Sequence, residues 1–381
     1  MIEFKIIKKS KKSKARVGLL TTKHCCIETP SLVPVATQAT VKTLSSEEVK
    51  ETKTQVLISN TLYLHLRPGE DIIKKAGGLY QFMNFDGLLM TDSGGFQVFS
   101  WGFGKDFEVG KLLKYFPEKS KIKLQKGDQP KSLKITPDGV YFKSIFNGEK
   151  LFLGPKESIK IQEKLGADII FSFDECTPPL CSLEYAKDSL ERNNCWARAS
   201  LEAKKSNQAL FGIVHGSNFK ALREKSAQFI NSLNFDGFGI GGDLGKSKND
   251  IYKILDWTIP FLDDSKPRHL LGIGYLEDIK GIIKKGIDFF DCNVPTHYAR
   301  RGIAFISQGK LNLNQAKFLK EKEPLDKKCQ CWVCQNYKRN YISHLFRAKE
   351  SLGQRLLTYH NLYFFNSYVE SIRKKIKDGK I

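Results

Sequence analysis

The segment that decides the fold is LFGIVHGSNFKALREKSAQFINSLNFDGFGI, residues 210–240. Its two ends, residues 210–214 and 235–240, are short apolar runs typical of buried strands, and residues 219–233 between them show the spacing of an amphipathic helix. Two buried strands joined by a helix form a parallel pair, because a parallel connection has to cross back over the sheet. The segment therefore predicts one βαβ unit.

The same unit recurs from about Gly154 to Gly302, and an earlier strand is predicted at residues 87–91. An open doubly wound sheet and a closed barrel share this pattern. The barrel is favoured because polar or glycine residues follow the carboxyl ends of several different strands, as they do around the active face of a (β/α)8 barrel. We therefore predict the α/β class and a (β/α)8 TIM barrel. The strand-end residues are Asp92, Asp174, His215, Gly241, Gly242, Asp243, Gly272, Ile273, Gly274 and Asp291.

Three of the nine cysteines lie close together near the C-terminus, at Cys329, Cys331 and Cys334, and His360 follows in a helical stretch. Four ligands of the Cys₃His type make a closed tetrahedral zinc site, which is structural because it leaves no position for water. His344 is the weaker candidate for the fourth ligand, since its short return from Cys334 leaves less room for a supporting helix. We predict one structural Zn²⁺ per chain.

These patterns divide the chain into three parts. Residues 1–60 are predicted as short strands that cap the barrel, residues 61–318 as the catalytic barrel, and residues 319–381 as a zinc-binding and helical C-terminal subdomain. Residues 105–134 carry nine Lys against four Asp or Glu and are predicted to be an exposed basic insertion in the barrel.

The chain is strongly basic, with 62 Lys and Arg against 41 Asp and Glu and a net charge of +21. Such a field attracts polyanions, so nucleic acid is the leading partner, and the alternative is a lysine-rich solvated surface without a specific partner. No apolar run approaches the roughly 18 residues of a membrane helix, and the N-terminus lacks the apolar core of a signal peptide. We expect a cytoplasmic protein with no membrane partner.

Three strand-end carboxylates, Asp92, Asp174 and Asp291, are the main candidates for chemistry. Two carboxylates that flank a sugar carbon, one attacking and one handling protons, are the equipment for displacement at an anomeric centre with retention. A third can accept hydrogen bonds from the donor edge of a purine. A helix N-cap is the alternative role for Asp291. Phosphate binding at residues 239–242 is disfavoured, because these glycines lack the spacing to a following helix.

Several ordered motifs together resemble tRNA-guanine transglycosylase over nearly the whole chain. They are DSGGFQ at 92–97, FDECTP at 173–178, GIVHG at 212–216, GIDFFDC at 286–292, PT at 295–296 and the CxCxxC motif with His360. The resemblance implies a zinc-bearing (β/α)8 barrel, usually a homodimer. It also implies a pentosyltransferase (queuine tRNA-ribosyltransferase) that exchanges the wobble guanine, position 34, of tRNAs with GUN anticodons for a 7-deazaguanine in queuosine biosynthesis.

The resemblance also implies roles for individual residues. Asp291 would attack C1′ of the ribose and form a covalent ribosyl-enzyme, and Asp92 would accept the proton of the incoming base. The residues implied to bind the base are Ser93, Gly94, Gly95, Phe96, Asp174, His215 and Gly242. Those implied to bind the tRNA anticodon stem-loop are Gly272, Ile273, Gly274, Tyr275, Leu276, Glu277, Asp278, Thr296, His297, Tyr298, Ala299 and Arg300.

This chain departs from the usual bacterial pattern at the base site. His215 stands where a glutamine is usual, residues 241–247 read GGDLGKS instead of GGLAVGE, and His297 stands where an arginine is common. Gly245 replaces a branched residue, which predicts a wider pocket that accepts queuine at least as well as 7-aminomethyl-7-deazaguanine. The identity of the base stays open.

Two other classes of function compete with this enzyme. A non-catalytic tRNA-binding subunit of the same fold is disfavoured because both Asp92 and Asp291 are present. A barrel glycoside hydrolase has no need of a net charge of +21 or of a zinc module outside the barrel.

Overall fold

A computed structural model describes residues 2–99, 133–144, 146–178, 181–245 and 247–381. The predicted insertion at 105–134 lies outside the described residues except for its last two positions.

The strands of the described residues lie in four sheets, and the largest of these is a closed barrel of eight parallel strands. In chain order the strands are β1 (Glu3–Lys9), β2 (Arg16–Thr21), β3 (Cys26–Thr29), β4 (Ser31–Ala36), β5 (Val56–Ser59), β6 (Leu88–Thr91), β7 (Lys134–Thr136), β8 (Gly139–Lys143), β9 (Lys150–Leu153), β10 (Ile169–Phe171), β11 (Ala209–Val214), β12 (Gly237–Ile240), β13 (Arg268–Leu270), β14 (Phe289–Cys292), β15 (Ile303–Ile306) and β16 (Gly309–Asn312). The order around the barrel is β10-β11-β12-β13-β14-β4-β5-β6, which confirms the predicted barrel.

Helices follow most barrel strands and form the outer layer. They are α1 (Ser46–Glu51), α2 (Thr61–Leu66), α3 (Glu70–Lys75), α4 (Gly78–Met83), α5 (Pro155–Leu165), α6 (Leu183–Ala203), α7 (Lys220–Ser232), α8 (Lys248–Thr258), α9 (Leu276–Lys284), α10 (Val294–Arg300), α11 (Trp332–Asn336), α12 (Arg339–Arg347) and α13 (Ser351–Lys377). Within the described ranges, no helix has both the length and the apolar character needed to cross a membrane.

The barrel begins earlier than the predicted boundary at residue 61. Strands β4 and β5 both precede that boundary, and β4 closes the barrel by pairing with β14, with Asp291 opposite Val33. Both strands are almost entirely buried. The pattern of β4 is obscured in the sequence by Pro34, a residue that argues against a central strand because it lacks an N–H.

Strands β1 to β3 form a separate antiparallel sheet at the amino-terminal end of the barrel. Leu20 and Ile27 of this sheet pack in the same apolar cluster as Phe211 and other side chains of the barrel strands. The buried Arg16 anchors the sheet, with its Nη2 atom 2.5 Å from Oδ2 of Asp288, the residue before β14. This sheet closes one end of the barrel, so access to the interior is from the other end.

The C-terminal helix α13 packs directly on the barrel and is not part of a detached subdomain. Phe365 and Val369 belong to the apolar cluster that fills the space between the strands and the outer helices. The buried amide of Asn361 donates hydrogen bonds to the carbonyl oxygens of Pro295 and Ile303, each at 3.0 Å. The helix thereby ties the C-terminal region to the loops beside β14.

Candidate active site and metal centre

A cavity of about 590 Å³ opens where the carboxyl ends of the barrel strands meet. Because parallel strands all end on the same face, residues far apart in the sequence come together there. The sequence-predicted site residues that line the cavity are Asp92, Ser93, Phe96, Asp174, Gly242, Gly272, Ile273, Tyr275, Asp291, Thr296 and Arg300.

Asp92 follows β6, and three donors hold its carboxylate. The amide nitrogen of Asn60 lies 2.5 Å from Oδ2, and the backbone N–H groups of Thr61 and Gly94 donate to Oδ1 at 3.0 and 3.1 Å. Burial nevertheless raises the pKa of Asp92 to about 7, with a smaller contribution from the charge of Asp291 and partial opposition from the three donors. A carboxyl group with this pKa is suited to give and take protons near neutral pH.

Asp291 lies in β14 and points its carboxylate toward the same cavity. Its Oδ1 atom lies 2.9 Å from Nε2 of His269 and accepts a hydrogen bond of 2.9 Å from the backbone N–H of Gly272. The side chain is 15% exposed. The group is therefore held in position yet accessible to a substrate in the cavity.

Asp174 follows β10 and is fixed through Ser93. The Ser93 hydroxyl donates to Oδ1 of Asp174 at 2.5 Å and accepts from the backbone N–H of Gly95 at 3.0 Å. A Cβ atom at Gly95 would lie 2.2 Å from the Asp174 carbonyl oxygen, so only glycine fits there. The DSGG motif thus holds the carboxylate of Asp92 through the backbone N–H of Gly94 and orients the carboxylate of Asp174 through the Ser93 hydroxyl.

His215 has a different place from the predicted one. It is not among the residues that line the cavity; its Nε2 atom lies 3.1 Å from Oδ2 of Asp174, and only 2% of its side chain is exposed. Nδ1 of His215 would lie 2.9 Å from a Cβ atom at Gly242, which has a φ of +76°. His215 therefore contacts Asp174 without lining the cavity, whereas Gly242 lines it.

The predicted widening of the pocket at Gly245 is wrong. Neither Gly245 nor Leu244 lines the cavity. A Cβ atom at Gly245 would lie 2.5 Å from Cβ of Asp250, and Leu244 is fully buried in the cluster beneath the outer helices. Gly245 is required by its φ of +87° and by its close approach to helix α8, which accounts for the glycine at this position.

The predicted RNA-binding residues divide between the cavity mouth and the core. Arg300 lies at the mouth, where its Nη1 atom donates to the carbonyl oxygen of Thr296 at 3.0 Å. Asp278 and Ala299 are buried, at 1% and 0% exposure, and cannot meet RNA with their side chains. Their burial follows from helix periodicity, which turns these positions of α9 and α10 toward the barrel.

The other predicted RNA-binding residues stand around the same loops. The carbonyl oxygen of Gly274 accepts a hydrogen bond from Sγ of Cys292, and the exposed Glu277 pairs with Lys310 at 3.5 Å. Leu276 begins α9 and is half-buried. His297 and Tyr298 are half-buried with their rings in edge contact. Burial, aided by two neighbouring arginines, lowers the pKa of His297, which favours its neutral form.

Sequence reasoning missed three residues that hold two of the three cavity carboxylates, Asp92 and Asp291. Asn60 and Thr61 follow the end of β5, the same strand-end signal that identified the other site residues. Asn60 was overlooked because residues 1–60 were assigned to a cap, and Thr61 because the strand that precedes it was assigned to that cap as well. His269 lies inside β13, where a polar residue in a short buried run is the signal that could have identified it.

The four predicted metal ligands, Cys329, Cys331, Cys334 and His360, lie together and are all buried, with their ligand atoms within 4.8 Å of one another. Nδ1 of His360 lies 3.8, 3.4 and 3.3 Å from the three sulfur atoms in that order. Its Nε2 atom lies 2.8 Å from the carbonyl oxygen of Phe305, which leaves Nδ1 as the ligand atom. This donor set fits a tetrahedral metal ion, whereas His344 is exposed and outside the cluster.

The sequence matches the family model described as "Queuine tRNA-ribosyltransferase" over residues 10–381. A queuine tRNA-ribosyltransferase from Enterococcus faecalis is 43% identical over 383 residues, which cover 100% of this chain and 93% of the relative. One from Caldanaerobacter subterraneus is 44% identical over 384 residues, covering 100% and 95% of the two chains. A relative from Archaeoglobus fulgidus, to which that name is given provisionally, is 46% identical over 377 residues, covering 96% and 94%.

The metal centre is tested by comparing the two histidines. Since His360 is in the cluster and His344 is exposed, we expect His360→Ala to lose most of the bound metal and His344→Ala to keep about one ion per chain. Elemental analysis of the purified variants gives the answer. Full metal retention by His360→Ala would contradict the assignment.

The raised pKa of Asp92 predicts a specific dependence of stability on pH. The folded pKa of about 7 exceeds the value of about 4 for an unfolded Asp, so the folded protein binds the proton more tightly. Ionisation of Asp92 therefore lowers the free energy of unfolding as the pH rises from about 4 to about 7. Asp92→Asn lacks this loss, and the stability of the wild type relative to the variant should fall across that range. Urea unfolding of both proteins at several pH values measures it, and a pH-independent difference would refute the raised pKa.

Proposed function

Because the chain belongs to the queuine tRNA-ribosyltransferase family, we propose that it exchanges the guanine at position 34 of tRNAs with GUN anticodons for a 7-deazaguanine. As a member of this family it is a pentosyltransferase. The observation that carries the proposal is that one cavity is lined by three carboxylates, Asp92, Asp174 and Asp291, each held differently. The net charge of +21 supports an RNA substrate.

The first half of the reaction removes guanine. A carboxylate oxygen of Asp291 attacks C1′ of the ribose, the C1′–N9 bond breaks, and its electron pair leaves with guanine. Asp92, with a pKa raised to about 7, supplies a proton to the departing base. The product is a covalent ribosyl ester of Asp291. The accessible carboxylate of Asp291 and the proton-donating capacity of Asp92 support this division of roles.

The second half inserts the new base by the reverse steps. Asp92 accepts the proton of the incoming base, the base attacks C1′, and the bond from C1′ to the Asp291 oxygen breaks with its electron pair returning to the carboxylate. One glycosidic bond replaces another, so no nucleotide energy source is required. Retention at C1′ follows from two successive displacements.

The base is recognised by a pocket built on the glycine-rich loop. Asp174, oriented by the Ser93 hydroxyl, accepts hydrogen bonds from the N–H edge of the purine. Phe96 stacks on its face, and Gly94, Gly95 and Gly242 let the ring approach the backbone. Both 7-aminomethyl-7-deazaguanine and queuine are candidate substrates, since Gly245 no longer favours either.

The tRNA reaches the cavity through residues at its mouth. A base inside a stacked anticodon cannot enter the cavity, so the strand has to be splayed outward. Arg300 provides a cation for a phosphate, and Tyr275 and His297 provide rings on which neighbouring bases can stack. We propose that these residues contact the anticodon loop of the tRNA. We also propose that the exchange takes place in the cytoplasm.

We propose that the metal held by the Cys₃His cluster is zinc. Three thiolates and one imidazole in a tetrahedral set are the preferred ligands of structural Zn²⁺. The ion would link the loop of Cys329 to helix α13 through His360 and would supply structural rigidity to this region. It would take no part in the exchange itself.

We also propose that the chain acts as a homodimer through an aromatic strip, defined as Trp332, Tyr337 and Tyr341. Trp332 and Tyr341 are 47% and 42% exposed, and the ring of Tyr337 stacks on Tyr341 at 5.8 Å between centroids. Exposed contiguous aromatic surface of this kind marks a protein interface. The strip lies beside the metal ligand Cys331, so the metal centre would hold the interface in shape.

The roles of the carboxylates are tested by guanine exchange. We expect Asp291→Ala to lower the rate of exchange of labelled guanine in tRNA at least about a hundredfold while tRNA binding survives, because the nucleophile is lost and the basic surface is not. Asp256→Asn, an exposed carboxylate paired with Lys285, is the control and should exchange normally. Wild-type enzyme is assayed with both 7-deazaguanines. Normal exchange by Asp291→Ala would overturn the role of Asp291 as the nucleophile. No exchange by the wild type would overturn the proposed function and favour a non-catalytic tRNA-binding subunit.

The aromatic strip is tested by oligomeric state. Tyr341→Arg places a charge in the strip and should shift the protein from dimer to monomer in analytical ultracentrifugation. Tyr141→Arg is the matched control, because Tyr141 is 48% exposed on β8 and lies outside the strip. A wild-type monomer, or a dimer that survives Tyr341→Arg, would reject this interface.

A further inference from the structure

His269 is a buried histidine that contacts the proposed nucleophile. Its side chain is 0% exposed, and Nε2 lies 2.9 Å from Oδ1 of Asp291. Two rings surround it, with Phe171 in edge contact at 5.4 Å and Phe289 stacked at 6.2 Å between centroids. Among the residues that the structure describes, Nδ1 has no hydrogen-bond partner.

This geometry distinguishes the two neutral tautomers of the imidazole. In the Nδ1–H tautomer, the lone pair of Nε2 would face the Asp291 oxygen and repel it. Of the two neutral tautomers, the Nε2–H form gives Asp291 a donor, and it leaves the lone pair of Nδ1 buried without a partner.

We propose that His269 is a positioning residue that donates from Nε2–H to Asp291 and stabilises its carboxylate as the leaving group of the exchange. The proposal rests on the proposed function, in which Asp291 carries the ribosyl group. Together with the backbone N–H of Gly272, His269 places two donors on Oδ1 and fixes the plane of the carboxylate.

The donors act most strongly on the step that breaks the ester. When the bond between C1′ and the Asp291 oxygen breaks, the electron pair returns to the carboxylate, and an N–H donor stabilises the anion more than it stabilises the ester. The same hydrogen bond therefore lowers the equilibrium population of the covalent adduct and speeds its breakdown by the new base, which is the step that limits turnover in this proposal. No proton is transferred through His269.

The unpartnered Nδ1 indicates that the imidazole carries a cost in stability. A buried polar atom without a partner destabilises the folded chain, and an apolar residue would pack better against Phe171 and Phe289. A residue that lowers stability at a site is expected to serve the activity of that site. This distinguishes His269 from the buried structural residues of the barrel.

The test compares His269→Met with His269→Gln, which have nearly the same length, while only Gln carries an amide N–H that can reach Asp291. For His269→Met we expect kcat for base exchange to fall about ten- to hundredfold, the loss of one hydrogen bond to a charged group. KM for tRNA should stay within about twofold. The fraction of chain in the covalent adduct with tRNA, in the presence of a fixed concentration of guanine, should rise above that of the wild type. His269→Gln should restore both quantities toward the wild type.

Thermal unfolding and an Asp291 variant complete the test. The Tm of His269→Met and of His269→Phe should equal or exceed that of the wild type. A kcat within twofold of wild type in His269→Met, an adduct fraction that does not rise, no recovery with Gln, or a large fall in Tm in both apolar variants would each overturn the proposal. Asp291→Asn separates the two claims: if it still exchanges guanine, the proposed function fails, whereas if only the His269 expectations fail, Asp291 remains the nucleophile.

Discussion

Closure of the barrel between β14 and β4 is the constraint on which the site depends. The register sets Asp291 opposite Val33 and joins the last strand of the barrel to the first. Once eight parallel strands close in this way, all their carboxyl ends lie on one face, and the strand-end residues Asp92, Asp174 and Asp291 line one cavity. The sheet of β1 to β3 closes the opposite end, and α13 covers the outside beside β14. Packing that maintains this closure therefore also maintains the site.

Within the cavity, the carboxylates differ because their surroundings differ. Asp92 is desolvated strongly enough that its pKa is raised to about 7 despite three hydrogen-bond donors. Asp291 is held through one oxygen by a backbone N–H and an imidazole, and Asp174 is oriented by a hydroxyl. Carboxyl groups that lie in different environments can take different roles in one site, as acid, base or nucleophile. The chemistry proposed for this chain thus follows from local hydrogen bonding superimposed on a common barrel geometry.

The sequence predicted what depends on local pattern and strand-end chemistry. Alternation of buried strands and helices after Gly154 gave the barrel, and the strand-end rule identified Asp92, Asp174 and Asp291 as candidates that the structure brings to one cavity. The cysteine spacing led to a cluster in which His360 and not His344 takes part, because a long helix places His360 beside the sulfur atoms.

What the sequence did not predict depends on side-chain direction and long-range contact. Strand β4 contains Pro34, so the first barrel strands were assigned to a cap, and Asn60 was missed with them. Gly245 was interpreted as widening the pocket for the base, whereas its close approach to Asp250 explains why a glycine stands at this position. Ala299 was taken for an RNA contact, but only the packing of α10 shows that it faces the core. The role of His269 could not be predicted from the sequence, because it depends on the position of Asp291 in the neighbouring strand β14.

The central claim is that Asp291 becomes esterified by the ribose during exchange. The most direct measurement is peptide mapping by mass spectrometry, after the chain has been incubated with tRNA, denatured, and digested with ribonuclease and protease. The account predicts a nucleotide remnant on the peptide that contains Asp291 and no remnant on the peptides that contain Asp92 or Asp174. A remnant on either of those aspartates, or an actively exchanging enzyme that never carries one, would contradict it.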